Sequence, residues 1–309
     1  MNGEGFTMKI LNFGSCNIDL VYSVKHIVQP GETLAADGLA RFPGGKGLNQ
    51  AIAIARAGAP VYMAGCVGED DDMLAPLLGA AGVNLTYLRT VQGPTGHAII
   101  QVDESGENCI IIFPGANGKV SCEHIDQVLQ DFGEGDILLL QNEISNIPYL
   151  LEKAGERGMR IVLNPSPYAE WMQNIDLGLL SCVILNQTEA GCMAGTGQPF
   201  DFLEQMRIKY PELDVLLTLG GDGCIYQKDG KLYRQPSFKT KVVDTTGAGD
   251  TFTGYFIAGL YREDPVEEML KIATAASAIA ISKEGAAASI PVYDAVKAAV
   301  DTMIPNEVE

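Results

Sequence analysis

The sequence predicts an α/β protein in which a mostly parallel central sheet is covered by helices on both faces and carries a small second sheet. Three observations lead to this prediction. Short apolar runs alternate along the chain with segments of helical periodicity. The apolar runs are continuous, which is typical of strands buried on both faces. Two further segments show a period of two and interrupt the alternation.

The predicted elements follow the chain in order. Strands of the central sheet are expected at 9–15, 60–67, 136–141, 160–164, 181–186 and 213–219. Helices are expected at 46–57, 71–81, 121–131, 146–157, 198–209, 250–261, 265–282 and 291–303. The period-two stretches fall within 20–43 and 95–113, and we expect them to form a lid over the sheet edge; an edge hairpin without a role is the alternative. Residues 1–309 are expected to form one domain that carries these two insertions.

Composition narrows the classes of partner. The chain has 39 acidic and 21 basic residues and a formal net charge of −18, so neither nucleic acid nor a membrane surface is an expected partner. Its seven cysteines form no C-x-x-C pair, which favours a reduced, cytoplasmic location over a disulfide framework or a zinc site. No signal peptide is expected. A site for an anionic ligand would need positive potential from backbone dipoles or a metal.

Polar side chains follow several of the predicted strands. Because the carboxyl ends of parallel strands lie at one edge of a sheet, these side chains are expected to share one extended site there. They are Asn17 and Asp19, Asn142 and Glu143, Asn164 and Ser166, Asn186 and Glu189, and Thr218 and Gly220.

The segment DTTGAGDTF (244–252) joins a small-residue loop to a helix. Gly247, Ala248 and Gly249 could expose backbone N–H groups to an anion, with Asp250 beside it. Alternatively, Asp250 is only a first-turn acid that stabilises the helix. The residues alone leave both interpretations open.

Three other motifs point toward a ligand, each with a structural alternative. In GGKGLNQ (44–50) the glycines permit close approach, and Lys46 and Asn49 supply donors that suit hydroxyl groups. It is not a Walker A loop, because Lys46 is followed by Gly47, and it could be a simple strand–helix turn. NQTE (186–189) suits magnesium bound through waters or caps a helix. TLGGDG (218–223) passes close to a ligand or is an ordinary turn.

In this order, the four motifs resemble those of the PfkB-type carbohydrate kinases, from about residue 9 to residue 301. Several further segments narrow the resemblance to the ribokinase group. They are SCNID (15–19), PGET (30–33), PTG (94–96), PGAN (114–117), QNE (141–143), LNPSP (163–167) and KEGAAASIP (283–291).

The resemblance implies a ribokinase-like three-layer sandwich with a β-sheet lid. It also implies an ATP-dependent kinase that phosphorylates the terminal hydroxyl of D-ribose. One alternative is a kinase of the same family that acts on a nucleoside or another sugar. A non-catalytic sugar- or nucleotide-binding protein is a third option, disfavoured because the expected catalytic motifs are intact.

The resemblance also assigns roles to individual residues. Asp250 takes the role of catalytic base, and Gly247, Ala248 and Gly249 form the anion hole. The sugar would be held by Asn17, Asp19, Gly45, Lys46, Asn49 and Glu143, together with Asp250. The nucleotide would contact Asn186, Glu189, Thr218, Gly220, Gly223, Gly249 and Thr274. A potassium ion would use Asp244, Thr246, Ile281, Glu284, Ala286 and Ser289.

The implied cofactors are Mg²⁺ with ATP, held through water by Asn186 and Glu189, and K⁺ as an activating cation. The implied assembly is a homodimer formed through the lid. Two departures from the family pattern stand out. His97 occupies a position where a small aliphatic residue is expected against the sugar, which leaves pentose selectivity open. Glu284 and the pair 287–288 replace the usual residues beside the cation loop, but that loop works mostly through backbone carbonyls.

Overall fold

The structure, a computed structural model, describes residues 8–307. In chain order its strands are β1 (Ile10–Phe13), β2 (Asn17–Ser23), β3 (Gly38–Gly44), β4 (Tyr62–Gly68), β5 (Asn84–Val91), β6 (Gly96–Val102), β7 (Asn108–Phe113), β8 (Ile137–Gln141), β9 (Arg160–Asn164), β10 (Cys182–Asn186), β11 (Asp214–Thr218), β12 (Cys224–Lys228) and β13 (Lys231–Gln235). The helices are α1 (Lys46–Arg56), α2 (Leu74–Ala80), α3 (Cys122–Leu129), α4 (Ile147–Glu156), α5 (Gln187–Ala194), α6 (Pro199–Lys209), α7 (Ala248–Arg262), α8 (Val266–Ala280) and α9 (Tyr293–Val300).

Nine strands form the central sheet in the order β13-β12-β11-β10-β9-β8-β1-β4-β5. The strands from β11 to β5 are parallel to their neighbours, whereas β12 and β13 run antiparallel at one edge. The parallel arrangement places the carboxyl ends of seven strands at one edge of the sheet. The predicted α/β fold with a mostly parallel sheet is therefore confirmed.

Helices cover both faces of this sheet, and strand β8 shows how the two layers are separated. Alternate side chains of a strand point to opposite faces. Ile137 and Leu139 belong to the hydrophobic cluster that also contains residues of α1, α7 and α8. Leu138 and Leu140 belong to a second cluster, with residues of α3, α4 and α6. Each face of the sheet is therefore sealed by its own layer of helices.

Four strands in the order β3-β2-β6-β7 form a separate sheet, called the lid sheet below. Strand β2 pairs antiparallel with β3 and parallel with β6, and β7 closes the other side. The two predicted segments, 20–43 and 95–113, correspond to β2–β3 and β6–β7. Strand β2 begins at Asn17, three residues before the first predicted segment, and β6 begins at Gly96. All six residues of β7 are exposed, including the apolar run Ile110–Phe113.

All six predicted central strands are present, but β5, β12, β13 and α5 lie outside the predicted elements. Strands β5 and β13 lie at the two edges of the sheet, where fewer side chains are buried and the hydrophobic pattern is weaker. Strand β12, next to β13, is buried at four of its five positions. The β12–β13 hairpin turns at Asp229 and Gly230, both with positive φ. An Asp-Gly pair between apolar stretches is a hairpin signal, so this turn was available in the sequence. In the part of the chain described, no helix combines the length and apolarity needed to cross a membrane.

Candidate active site

Three cavities lie at the carboxyl edge of the central sheet. The outer cavity, about 510 Å³, lies between the turn at 220–223 and helices α7 and α8. The α7 cavity, about 270 Å³, surrounds the start of α7 and shares Thr218, Thr245, Ala248 and Gly249 with the outer cavity. The lid cavity, about 360 Å³, lies below the lid sheet and is lined by Asn17 and Glu143. The outer and α7 cavities therefore adjoin, whereas the lid cavity shares no lining residue with either of them.

Asp250 lies in the first turn of α7 and is only 8% exposed. Its Oδ1 accepts a hydrogen bond from Gln50 Nε2 at 2.9 Å, and its Oδ2 accepts one from Asn49 Nδ2 at 3.0 Å. Helix α7 has no side-chain cap, so the carboxylate does not cap its own helix. It is directed toward α1 and lines the α7 cavity. Asp250 therefore makes no capping hydrogen bond, but it is an acid in the first turn of α7, so the choice between the two interpretations of DTTGAGD stays a prediction.

The start of α7 has unpartnered backbone donors. Its N-cap, Gly247, has a φ of 74°, and a Cβ there would come within 2.9 Å of the Ala286 Cβ, so the position requires glycine. Within residues 8–307, the N–H groups of Gly247, Gly249 and Asp250 have no hydrogen-bond acceptor. The N–H of Ala248 donates instead to Thr245 O at 3.2 Å. Two of the three expected anion-hole residues thus present free N–H groups, and the third is used in a turn.

Asn186 and Glu189 begin helix α5 with a complete capping box. Asn186 Oδ1 accepts from Glu189 N at 2.9 Å, and Glu189 Oε2 accepts from Asn186 N at 3.0 Å. The capping interpretation of NQTE is confirmed. Both residues also line the α7 cavity with Asp250, and Glu189 is 6% exposed. Their oxygens fit the preference of Mg²⁺ for oxygen ligands and retained waters.

Glu143, which follows strand β8, binds the loop that precedes helix α1. Its Oε2 accepts from the Ser15 hydroxyl and from Lys46 N, the latter at 3.0 Å. Burial raises the pKa of Glu143 above its ordinary value, and the nearby Asp250 carboxylate raises it further, against the lowering effect of its donors. Glu143 therefore closes the start of α1, whose N-cap Gly45 has a φ of 94°.

The lid sheet supplies two polar side chains on the face that holds the cavity. Asn17 Oδ1 accepts from Asn117 Nδ2 at 2.7 Å. The Asp19 carboxylate packs against Gly44, where a Cβ would meet Asp19 Oδ2 at 2.4 Å. Burial, followed by the charge of Glu143, raises the pKa of Asp19 to about 6. Asn117 was not assigned a role from sequence, although it ends the quoted PGAN segment.

Asn49 has one polar atom without a partner. Its side-chain nitrogen is bonded to Asp250, but in the described chain its buried Oδ1 accepts no hydrogen bond. A buried acceptor without a donor is unfavourable, and the hydroxyl of a ligand would satisfy it. Asn49 is therefore placed to contact a ligand hydroxyl beside Asp250.

Five of the seven residues expected to contact the nucleotide line the outer cavity: Thr218, Gly220, Gly223, Gly249 and Thr274. The other two, Asn186 and Glu189, line the α7 cavity. Asn306, near the end of the described chain, also lines the outer cavity and was not predicted. Asn306 Nδ2 donates to Gly221 O at 3.2 Å and to Ser237 Oγ at 2.5 Å. Two backbone hydrogen bonds also hold the segment around Asn306, from Lys239 N to Ile304 O at 2.8 Å and from Asn306 N to Ser237 O at 2.7 Å. No local motif indicates this pairing.

The two segments expected to hold potassium lie side by side. Asp244 accepts from Thr246 N at 2.9 Å and from Gly285 N at 2.9 Å. Burial raises the pKa of Asp244, but these donors outweigh it and hold the pKa below its usual value. Ser289 Oγ donates to Ala286 O at 2.9 Å, and the Glu284 side chain is exposed.

The Ile281 carbonyl already accepts from Val243 N at 2.8 Å and Asp244 N at 3.2 Å, so it would have to release a bond to hold a cation. In residues 8–307 no group of three or more His, Cys, Asp or Glu side chains could hold a metal. Backbone carbonyls with the one carboxylate of Asp244 remain the available donor set, and it suits a weakly bound monovalent cation rather than a transition metal.

The family model described as pfkB family carbohydrate kinase matches residues 7–292. This chain belongs to the pfkB family of carbohydrate kinases. Membership makes it a phosphotransferase with an alcohol group as acceptor. The chain is 36% identical to the ribokinase of Haemophilus influenzae over 290 residues, which cover 90% of this chain and 94% of that enzyme.

Solved structures of ribokinases have the same fold as this carbohydrate kinase. The ribokinase of Thermotoga maritima matches with a TM-score of 0.86 and 35% identity, covering 95% of this chain and 99% of that one. The ribokinase of Arabidopsis thaliana, solved with ribose and ATP, matches with a TM-score of 0.84 and 30% identity, covering 96% of this chain and 99% of that one. The predicted ribokinase-like fold is confirmed.

The expectation for His97 in this carbohydrate kinase is wrong. His97 pairs with Ile18, a core residue, while Ala98 pairs with Asp19 on the cavity face. Directly paired residues share a face of the sheet, so the His97 ring points away from the lid cavity. It packs on Phe113, with ring centroids 5.1 Å apart. The small residue expected beside the sugar is present, one position later in the chain.

Proposed function

We propose that this carbohydrate kinase transfers the γ-phosphoryl group of ATP to the terminal hydroxyl of D-ribose, giving D-ribose 5-phosphate and ADP. The observation that carries the proposal is the position of Asp250. Its carboxylate lines the α7 cavity together with Gly247 and Gly249, whose N–H groups are open, and accepts a hydrogen bond from Asn49 of α1. The similarity to ribokinases, one of them solved with ribose and ATP, supports ribose as the sugar.

The reaction follows from that position. The terminal hydroxyl oxygen of the sugar attacks the γ-phosphorus, its proton passes to Asp250, and the bond from the γ-phosphorus to the bridging oxygen of ADP breaks. The N–H groups of Gly247 and Gly249 stabilise the charge on the transferred group. Mg²⁺ bound with ATP would neutralise phosphate charge, with Asn186 and Glu189 holding it through water. Because the protein is acidic, these dipoles supply the positive potential that its side chains do not.

The sugar is proposed to lie in the lid cavity. Asn17 and Glu143 line this cavity and would offer oxygens to its hydroxyl groups, and Asp19 lies on the same face of β2 as Asn17. The unpartnered Asn49 Oδ1 would accept from a hydroxyl near Asp250. Lys46 lines the α7 cavity together with Asp250. A site built from buried hydrogen-bonding groups discriminates against substrates that lack the matching hydroxyls.

The outer cavity is proposed to hold the nucleotide. Its shared wall with the α7 cavity, at Thr218 and Gly249, lets one ligand extend from the outer cavity to the α7 N–H groups. Gly223 has a φ of 96°, and a Cβ there would come within 2.0 Å of Gln235 O, so this wall requires glycine. Thr274, whose buried Oγ1 has no partner among residues 8–307, faces the base in this proposal.

Potassium activation is also proposed. The segments around Asp244 and Ala286 are joined by the bond from Gly285 N, and they flank the start of α7. A cation bound there would order the anion hole. Activity should therefore rise when potassium replaces a large organic cation at constant ionic strength, and Asp244→Ala should reduce that rise. Equal rates in the two salts would remove the cation from the proposal.

A cytoplasmic homodimer formed through the lid sheet, each chain one domain, completes the proposal. The apolar residues of β7, with Leu39 and Phe42 of β3, are exposed in the single chain. These side chains alternate between the two faces of the lid sheet, so they expose apolar area on both faces. Exposed apolar area favours association with a second surface. Replacing Ile111 with Asp should convert a dimer to a monomer in sedimentation, without loss of folding.

A substrate panel tests the function directly. ATP consumption would be measured with ribose, deoxyribose, fructose and nucleosides, with the Asp250→Asn variant as the control for contaminating kinases. Ribose should give the highest kcat/KM. A nucleoside or fructose in first place would make the enzyme a different kinase of the same family. Binding without turnover of any substrate would support a non-catalytic protein.

A further inference from the structure

The donor of the hydrogen bond to Asp250 Oδ1 is a buried glutamine that the proposed reaction does not use. Gln50 is 0% exposed. Its Nε2 donates to Asp250 Oδ1 at 2.9 Å and to Asn164 Oδ1 at 3.1 Å, while its Oε1 accepts from Gln141 Nε2 at 2.7 Å. The Gln50 amide is therefore held by side chains from three other elements, β8, β9 and α7.

The orientation of the Gln50 amide is fixed by the next two side chains. Gln141 Nε2 donates a second hydrogen bond, to Asn12 Oδ1 at 2.9 Å, and Asn12 Nδ2 donates to Gly47 O at 2.7 Å. If the Gln141 amide were flipped, its oxygen would face two other acceptor oxygens. The series Asn12–Gln141–Gln50, called the amide series below, consequently directs the Gln50 nitrogen toward Asp250.

Stability alone does not account for this series. In the described chain the buried Oε1 of Gln141 accepts no hydrogen bond. An unpartnered buried oxygen is unfavourable for folding, and an apolar side chain of similar size would avoid it. The amide at 141 instead uses both of its N–H groups to hold its two neighbours.

Asp250 lies among other charged groups. Glu143 is close enough for the two carboxylates to repel, and Lys46 and Glu189 line the same cavity. A carboxylate in this setting needs fixed donors to keep its orientation. Asn49 is one donor, and its Oδ1 has no partner in the described chain, whereas both polar atoms of the Gln50 amide are bonded to side chains. Neither residue lines any of the three cavities.

We propose that Gln50, held by Gln141 and Asn12, is a positioning residue that sets the orientation of Asp250 for proton transfer. The proposal rests on the proposed function, because it takes Asp250 as the base. Loss of the Gln50 N–H leaves Asp250 Oδ1 without a donor, so the carboxylate can rotate away from the sugar hydroxyl. The chemical step slows, while the surfaces that bind ATP and the sugar are retained.

The test is the kinetics of Gln50→Met, which keeps the volume and removes both donors. We expect kcat to fall by roughly 10- to 100-fold, as for a small displacement of a catalytic group. KM for ATP should stay unchanged. Gln227→Met is the matched control, since Gln227 is also a buried glutamine, on β12, outside the three cavities, and should leave kcat unchanged. A folded Gln50→Met protein with wild-type kcat overturns the proposal.

A double-mutant cycle separates this proposal from the proposed function. If Gln50 acts through Asp250, Gln50→Met should cause no further loss of kcat in the Asp250→Asn background. The same fold-loss in both backgrounds would mean that the two residues act independently, and would overturn the proposal. Wild-type kcat in Asp250→Asn itself would instead refute the base assignment. Should Gln50→Met fail to fold, Gln141→Met takes its place, and an unchanged kcat there is equally decisive against the amide series.

Discussion

Helices α5 and α7 begin at the same edge of the sheet, with an acid at the same position and different results. In each, the acid is three residues after the N-cap: Asn186 and Glu189 in α5, Gly247 and Asp250 in α7. In α5 the acid reaches back and caps its own helix. In α7 the N-cap has no side chain to accept an N–H, and the shorter acid points away to Asn49 and Gln50. The N-cap residue therefore decides whether a helix can close its start with its own side chains.

The start of α1 adds a third case. It also begins at a glycine, but its N–H groups are taken by other parts of the chain: Lys46 N donates to Glu143, and Leu48 N donates to Ser15 O at 2.9 Å. A glycine N-cap alone therefore does not make an anion site. What distinguishes α7 is that no neighbouring element of the described chain covers its first N–H groups.

The largest expected effect comes from Asp250→Asn. This substitution tests whether Asp250 takes part in the reaction or only stabilises helix α7. Asn keeps the size and can still bond to one of its two neighbours, but it cannot accept the hydroxyl proton. We expect kcat to fall by roughly 10²- to 10⁴-fold. Thermal melting should change little, and ATP binding, measured by calorimetry, should persist. A folded variant with more than about a tenth of wild-type kcat would contradict the role of base.

Closing the α7 start should have the next largest effect. Gly247→Asn gives α7 the N-cap residue of α5, and Asn tolerates positive φ better than most residues. Its side chain would accept the Asp250 N–H and crowd Ala286, so kcat/KM for ATP should fall by about 10²-fold. The ribose dissociation constant is the internal control and should hold. Unchanged kcat/KM for ATP would show that the open N–H groups do not bind phosphate.

Asp19 differs from Glu189 and Asp250 because its carboxylate accepts no hydrogen bond in the described chain. Its pKa is raised to about 6. A carboxylate accepts a sugar hydroxyl more strongly than a neutral carboxyl does. KM for ribose should therefore rise severalfold from about pH 7 to about pH 5, as Asp19 takes up a proton. In Asp19→Asn this part of the pH dependence should vanish; its persistence would assign the effect to another group.

The raised pKa of Asp19 also determines how the stability of the protein changes with pH. A carboxyl whose pKa is higher in the folded state contributes stability at low pH, and this is lost as pH rises through about 6. At neutral pH the charged Asp19 therefore opposes folding. Asp19→Asn should raise the urea midpoint above pH 7 and have less effect near pH 4. A lower midpoint at neutral pH would contradict the assigned environment.

The smallest expected effect separates the two roles of Asn186. Asn186→Ala removes the cap of α5 and should lower the free energy of unfolding by about 1 kcal/mol. Asn186→Ser retains a capping oxygen and should restore most of that loss. If Asn186 also helps to hold Mg²⁺, both variants should raise KM for Mg-ATP. Recovery of KM along with stability in Asn186→Ser would leave the residue with capping alone.

The sequence could predict the parts of the molecule that have a local signal. Six buried strands were visible as continuous apolar runs, and the open start of α7 was visible as small residues before an amphipathic helix. The two interpretations of NQTE and DTTGAGD could not be separated from sequence. Each depended on whether another element supplies a partner, and Asn49 and Gln50 lie 200 residues or more from Asp250.

Other features could not be predicted because they depend on contacts between distant residues or on the register of a strand. Gln50 and Gln141 are polar residues within elements and give no pattern that marks them as buried and bonded together. The face on which His97 lies depends on strand register, where a shift of one residue exchanges the two faces. Asn306 reaches the outer cavity because residues 304–306 pair with residues 237–239, which are far away in the sequence.

Strand β2 has a consequence for how this enzyme can change by insertion and deletion. Asn17 and Asp19 face the lid cavity, whereas Ile18 and Leu20 alternate with them and pack on the main hydrophobic cluster. A substitution in β2 alters one contact, but a single-residue indel would send the polar pair into the core and the apolar pair toward the sugar. Length variants are therefore expected to survive in the β2–β3 connection, at 24–37, and to be absent from β2. Efforts to redesign the sugar preference should keep the length of β2 and vary its side chains.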